Sequence, residues 1–163
     1  MSMATASLPA PAPEALRIRS LRHADLAGVI RLDAHHTGVR KPAYWKRVFR
    51  EFLRTRDRRV RVGLAAEAGK RLVGYLLGEV RAFEFGSEPC GWIFAVGVDP
   101  TCLRARAGTA LLDKACRAFR EAGVARVRTM VRRNDVPVLA FFRASGFAGG
   151  SYVQLELDVS AGA

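Results

Sequence analysis

The residues best suited to chemistry lie in the stretch TCLRARAGT, residues 101–109. An apolar run that ends at Pro100 precedes it, and a sequence with helical periodicity follows it. A loop that opens a helix exposes unpaired backbone N–H groups at the positive end of the helix dipole, and such an end binds anions. The stretch therefore predicts a phosphate-binding loop; the alternative is a solvated basic loop that only caps a helix.

Two arginines make this loop unusual. Arg106 stands where a glycine, which lets the backbone curl and an anion come close, would be expected. If this position needs a positive φ, any residue other than glycine costs about 1 kcal/mol or more. In compensation, Arg104 and Arg106 offer charged, fork-shaped donors that suit phosphate.

The apolar pattern around this loop predicts an α+β fold. Strands and helices are expected in the order β-α-α-β-β-β-α-β-α-β, with a hairpin at 59–83 and a last strand, or a bent pair of strands, at 146–159. We expect a mixed, mostly antiparallel central sheet with helices on both faces. Residues 1–14, rich in Ala and Pro, are expected to form a flexible tail, and residues 15–160 a single domain.

Chain length, net charge and cysteine content exclude few classes of function. The chain has 163 residues and a formal net charge of +12, which attracts polyanions such as nucleic acid or phosphorylated cofactors. Its basic residues are scattered, which argues against specific nucleic-acid binding without excluding it. Three cysteines without metal-ligand spacing favour free thiols in a cytoplasmic protein and no metal site. No apolar run approaches the roughly 20 residues of a membrane span.

The order of elements, the Val-x-Pro strand end, the loop and the later FFRASGF together resemble the GNAT superfamily of N-acetyltransferases. The resemblance extends from about residue 16 to 159. The acetyl-CoA motif of that family matches Val98, Pro100 and Gly108, whereas Leu103 and Arg106 stand where Arg or Gln and Gly are usual.

The resemblance implies acetyl-CoA as co-substrate, with its pyrophosphate on the loop and its pantetheine arm on a splayed strand. Gly97 is a candidate bulge in that strand, or a glycine needed only for packing. The cofactor-binding residues expected from the resemblance are Val96, Val98, Leu103, Arg104, Arg106, Ala107, Gly108, Thr109, Asn134 and Phe142.

The residues that usually supply acid and base in this family are missing. Phe142 occupies the position of the usual Tyr proton donor, and Phe94 and Ala95 stand where the base carboxylate is usual. Glu79 is a weak candidate for the base. For Tyr75 we favour packing, and for the pair His35–His36 a solvated helix end.

The resemblance implies an N-acetyltransferase that moves an acetyl group directly to a primary amine of a small molecule or protein. The alternative is a GNAT-fold module that binds acyl-CoA with weak or no catalysis. The implied partners are acetyl-CoA and an amine acceptor; no membrane partner is expected, and a homodimer is left open.

Overall fold

The fold is known from a computed structural model that describes residues 15–54, 60–82 and 84–160. Of Glu84 and of residues 103–105 it describes the backbone only. The predicted tail at 1–14 lies outside the described residues. The chain divides into two compact units, one that ends at Met130 and one that begins at Val131. The single domain expected over 15–160 stays a prediction.

The first unit contains a sheet of five strands in the order β1-β2-β3-β4-β5. Neighbouring strands are antiparallel except for β4 and β5, which are parallel. The predicted mixed, mostly antiparallel sheet is therefore confirmed. Its strands are β1 (Leu16–Ser20), β2 (Arg61–Ala68), β3 (Arg71–Arg81), β4 (Cys90–Val98) and β5 (Val127–Thr129).

Among the described residues, the first unit has three α-helices and the second unit has one. They are α1 (Leu26–Thr37), α2 (Pro42–Phe52), α3 (Ala107–Glu121) and, in the second unit, α4 (Val136–Ala144). Pro42 suits the first turn of α2 because proline has no N–H that needs an intrahelical partner there. Gly123 follows the end of α3 with φ of 82°, in the left-handed region that glycine adopts freely.

Helices cover both faces of the sheet, as the sequence predicted. On one face α3 lies so close that a Cβ added at Gly91 would come within 2.5 Å of Phe119 Cγ. On the other face α1 and α2 form a core with the sheet, in which Trp45, Phe49 and Tyr75 are each at most 3% exposed. Helices therefore pack against both faces of the sheet, and the loops extend from the ends of its strands.

The last predicted strand is not formed. Residues 151–159 include Val153, Leu155 and Leu157 at alternate positions, a pattern typical of a strand. In the described part of the chain this segment joins no sheet, and these three side chains are 75–89% exposed. Alternation alone does not make a strand, because a strand needs a hydrogen-bonded neighbour and a face to bury.

Candidate functional site

Strand β4 separates from β5 halfway along its length. The two strands pair only from Gly91 to Ile93, opposite Val127 to Thr129. At the point of separation Thr129 Oγ1 donates to Ile93 O over 3.0 Å. Past Ile93, no strand in the described residues pairs with this side of β4. We call this side of β4, from Phe94 to Val98, the open edge.

A bulge in β4 lies where the strands separate. On the β3 side, Leu77 pairs with Ala95 but the next residue, Gly78, pairs with Ile93. Phe94 is therefore the extra residue in β4. A bulge of this kind bends its strand and shifts the direction of its backbone groups, so it accounts for the separation from β5.

The hydrogen bonds past the bulge show which residues face the open edge. Asp99 N donates to Val73 O, on the β3 side, over 2.7 Å. Because backbone groups of successive strand residues alternate between the two sides, Val96 and Val98 direct their N–H and C=O groups away from β3. Both sequence-predicted residues thus present backbone donors and acceptors at the open edge.

The prediction that Gly97 forms the bulge in β4 is wrong. Gly97 pairs in register with Tyr75, and a Cβ added at Gly97 would lie 2.6 Å from Tyr75 Cε1. Glycine stands here because the Tyr75 ring lies across the strand, which was the packing alternative. Burial raises the pKa of the Tyr75 hydroxyl, so that this group keeps its proton more firmly than a free tyrosine.

The loop after β4 leads into α3 through a left-handed residue. A 3-10 turn spans Pro100–Ala105, and Arg106 follows with φ of 56° and ψ of 26°. This is the conformation that glycine adopts most readily. The backbone therefore keeps the shape expected of a glycine loop although the residue is arginine, and the Arg106 side chain is exposed.

The first turn of α3 contains three of the predicted residues, Ala107, Gly108 and Thr109. The Arg106 side chain makes no capping hydrogen bond to them. The first N–H groups of a helix have no acceptor within the helix, so this turn offers donors to an anion. The side chains of Leu103 and Arg104, which were predicted to bind cofactor, lie outside the described part of the structure.

Asp99 fixes the start of the loop, a role that the sequence analysis missed. Its Oδ1 accepts from Thr101 N and Thr101 Oγ1 over 3.0 and 2.7 Å. Arg71 Nη1 lies 3.0 Å and Arg31 Nη1 3.6 Å from its Oδ2. The Thr101 hydrogen bonds, with help from both arginines, hold the pKa of this carboxyl below its usual range.

His36 reaches the open edge from the end of α1. Its Nε2 donates to Val98 O over 2.8 Å, although the side chain is exposed. We expected a solvated helix end for His35–His36. No local pattern indicates the contact with Val98, because the two partners lie 62 positions apart in the sequence. His36 therefore places an imidazole N–H within hydrogen-bonding distance of the open edge.

The candidate base Glu79 lies elsewhere on the sheet. It pairs with Trp92, six residues before Val98, which is roughly 20 Å along an extended strand. Its carboxylate forms an ion pair with Arg81 Nε at 3.3 Å. The structure does not bring Glu79 together with the backbone groups of Val96 and Val98.

The second unit carries the other two predicted residues. Phe142 is 5% exposed, and its ring contacts those of Phe141 and Phe147, each with a centroid separation of 5.1 Å. Asn134 is exposed and precedes Asp135, the N-cap residue of α4. Asp135, rather than Asn134, caps that helix by accepting from Val138 N.

No group of three or more His, Cys, Asp or Glu side chains in the described ranges could hold a metal ion. Within the same ranges, no helix has the length and apolar character to cross a bilayer.

Sequence comparison agrees with this geometry. The model of the acetyltransferase (GNAT) family matches residues 26–147, which include the open edge and the loop. The chain belongs to the GNAT acetyltransferase family. Mycothiol acetyltransferase from Saccharomonospora viridis is 33% identical over 87 residues, which cover 52% of this chain and 28% of that relative. The chain thus matches less than a third of the length of this GNAT relative.

Solved GNAT structures share the fold. Aminoglycoside N-acetyltransferase AAC(6')-Iy in complex with CoA superposes with a TM-score of 0.77 at 14% identity, over 93% of this chain and 99% of its own. Glucosamine-6-phosphate N-acetyltransferase from Arabidopsis thaliana gives 0.70 at 20% identity, over 90% of this chain and 100% of its own. At such identities the likeness establishes the fold alone.

Proposed function

We propose that the protein binds acetyl-CoA and transfers its acetyl group to a primary amine. The observation that carries this proposal is the left-handed backbone at Arg106, which opens α3 with uncapped N–H groups next to the open edge of β4. A phosphate-binding turn and an unpaired strand edge, joined by about eight residues, suit a ligand with a pyrophosphate and a peptide-like arm.

Different groups of the chain bind different parts of acetyl-CoA. The first-turn N–H groups of Ala107, Gly108 and Thr109 bind the pyrophosphate, and the Arg106 guanidinium, which has no protein partner in the described structure, adds positive charge. Val96, through its N–H and C=O, and Val98, through its N–H, pair with the amides of the pantetheine arm as a neighbouring strand would, while Val98 O accepts from His36 Nε2. A backbone N–H near Val98 polarises the thioester carbonyl.

Transfer then proceeds by direct attack. The amine nitrogen forms a bond to the acetyl carbon, the carbon–sulfur bond breaks, and CoA leaves as the thiolate while the amine proton passes to solvent. A thiolate whose conjugate acid has a pKa of about 8.5 can leave without an acid at the site. Positioning of the two substrates supplies most of the rate, so Phe142 at the usual Tyr position lowers the rate without abolishing it.

A second candidate function is a GNAT-fold module that binds acyl-CoA with weak or no transfer. One observation favours it: Phe142 lies buried against two other phenyl rings and has no proton to give. The acid of the transferase mechanism is absent at this position, whereas cofactor binding does not depend on it.

The acceptor of the proposed reaction is a primary amine of a small molecule or a protein. The net charge of +12 disfavours polycationic amines such as aminoglycosides, because like charges repel at long range. The proposal also includes one domain over 15–160 and a reducing cytoplasmic location, which suits the free thiols Cys90, Cys102 and Cys116.

Two measurements test the proposal in sequence. Acetyl-CoA and CoA should each raise the melting temperature, because a ligand that binds only the folded state stabilises it by mass action. Release of free CoA thiol, followed with a panel of primary amines, then separates a transferase from a binding module. No thermal shift with either ligand at about 1 mM would contradict cofactor binding altogether.

A further inference from the structure

A cleft of about 530 Å³ lies between the start of α1 and the second half of α2. Its apolar side is formed by Leu26, Phe49 and Leu53. Phe49 is only 2% exposed and belongs to the core, whereas Leu26 and Leu53 are partly buried against that core. The volume falls within the range of small-molecule sites, roughly 300–1,000 Å³.

The other side of the cleft is cationic. Lys46, Arg50 and Arg54 line it together with His23. Lys46 and Arg50 stand four residues apart on α2, roughly 6 Å along the helix, and Arg54 follows at the same sequence spacing just beyond the helix end. All three are exposed, and none has a hydrogen-bond or ion-pair partner among the described residues.

Three unpaired cations beside one another repel, and an anion placed among them relieves that repulsion. By contrast, Arg19 in the same unit is paired with Asp25 and Glu67. The adjoining apolar side would contact a hydrocarbon or aromatic body attached to the anion.

We propose that this cleft binds a small organic anion with an apolar body, such as a carboxylate on an alkyl chain or ring. The anionic group lies between Lys46 and Arg50, with Arg54 next to it. The apolar body contacts Leu26, Phe49 and Leu53. The volume suits a single small molecule.

The cleft lies apart from the pyrophosphate loop and from the Val98 end of the open edge. His36, which contacts Val98 at the open edge, lies ten residues after Leu26 on α1, and ten residues span roughly 15 Å of helix. The anion site thus lies at the opposite end of α1 from Val98, whereas Phe94, at the other end of the open edge, contacts Phe52 of α2 with a centroid separation of 5.6 Å. The inference goes beyond the proposed function and does not require that transfer occurs.

The test uses octanoate as probe with the full chain in low salt and without acetyl-CoA. Isothermal titration calorimetry gives its affinity for the wild type, for the double variant Lys46→Gln/Arg50→Gln and for the control Arg47→Gln/Arg117→Gln. The control removes the same charge from exposed positions outside the cleft. Melting temperatures establish that both variants fold.

We expect octanoate to bind the wild type and the control alike, and the cleft variant at least about tenfold more weakly. Neutral 1-octanol has the apolar body without the charge, and inorganic phosphate has the charge without the apolar body. Both should bind more weakly than octanoate. Equal octanoate affinity of the two variants would overturn the proposal, as would no binding to the wild type at about 10 mM.

Discussion

At the scale of single residues, Arg106 keeps a left-handed backbone conformation at a position where glycine would be expected. The position keeps φ of 56°, and it lies at the start of α3 where glycine would be the unstrained choice. The loop therefore depends on its neighbours to hold this conformation, and the Asp99 contacts with Thr101, Arg71 and Arg31 provide part of that support.

The first prediction separates the backbone of Arg106 from its charge. Arg106→Gly should raise stability by about 1 kcal/mol, because it removes the cost of a left-handed conformation. Arg106→Ala keeps that cost while it removes the guanidinium, so it serves as the matched control. Urea unfolding measures stability, and calorimetry measures the Kd for CoA.

If the first-turn N–H groups of α3 bind the phosphates, Arg106→Gly retains most of the affinity for CoA. Arg106→Gly and Arg106→Ala then lose only the part of that affinity that the guanidinium contributes. A glycine variant that is less stable than the alanine variant would contradict the strain at this position.

A second prediction concerns Phe142. Phe142→Tyr supplies a phenolic proton donor at the position where the family usually has one, and we expect the rate of acetyl transfer to rise about tenfold or more. Phe141→Tyr adds the same hydroxyl one residue earlier and is the control. Single-turnover release of CoA thiol measures both. An unchanged or lower rate in Phe142→Tyr alone would show that another donor serves the reaction.

At the scale of elements, β4 is the part of the fold on which the site depends. Its first half pairs with β5, the bulge at Phe94 ends that pairing, and its second half presents Val96 and Val98 at the open edge. Helix α1 then contacts that edge through His36.

The third prediction tests the close packing that keeps this half of β4 in register. Gly97→Ala places a methyl group 2.6 Å from Tyr75 Cε1, so the ring or the strand must move. We expect a loss of about 1–3 kcal/mol in the free energy of unfolding, as for other overpacked cores. Denaturant unfolding measures the loss.

The double variant Gly97→Ala/Tyr75→Leu provides the control, because leucine no longer covers Gly97. It should lose less stability than the sum of the two single variants. Full additivity would show that Gly97 is not required by the Tyr75 ring.

Some of these elements could be predicted from the sequence and others could not. Apolar stripes at helical spacing predicted α2 and α3, and the strand pattern predicted β1 to β5, because local periodicity reports burial on one face. The bulge at Phe94 and the contact of His36 with Val98 depend on partners distant in sequence, so no local pattern indicates them. The prediction of a last strand was wrong because alternation of apolar residues is a local pattern, whereas a strand also needs a pairing partner that is distant in sequence.

At the scale of the whole molecule, buried carboxylates paired with arginine hold several elements together. Arg19 on β1 donates to both oxygens of Asp25 at 2.8 Å and to Glu67 on β2 at 2.8 Å. Burial alone would raise the pKa of Asp25, but the hydrogen bonds from Arg19 and from Arg22 N outweigh it, and the pKa is lowered. Asp99, near the loop, shows the same direction.

The fourth prediction follows from the sign of these shifts. A carboxyl whose pKa is lower in the folded state stabilises the fold above its unfolded pKa of about 3.9, and this contribution is lost as pH falls through the folded value. The melting temperature should therefore fall steeply below about pH 4. Asp25→Asn should be less stable at neutral pH by about 2 kcal/mol and should show a shallower acid decline.

Asp113→Asn, which changes an exposed carboxylate on α3, is the control and should keep the wild-type decline. Thermal unfolding followed by circular dichroism between pH 2.5 and 7 compares the three proteins. An equally steep decline in Asp25→Asn would mean that other groups control acid unfolding.

The central claim, that the open edge and the loop together bind acetyl-CoA, is tested most directly by an amide chemical-shift titration with acetyl-CoA. We expect saturable shifts concentrated at Val96, at Val98 and in the first turn of α3, Ala107 to Thr109. Absence of shifts at these amides at about 1 mM ligand, or shifts confined to other parts of the chain, would contradict it.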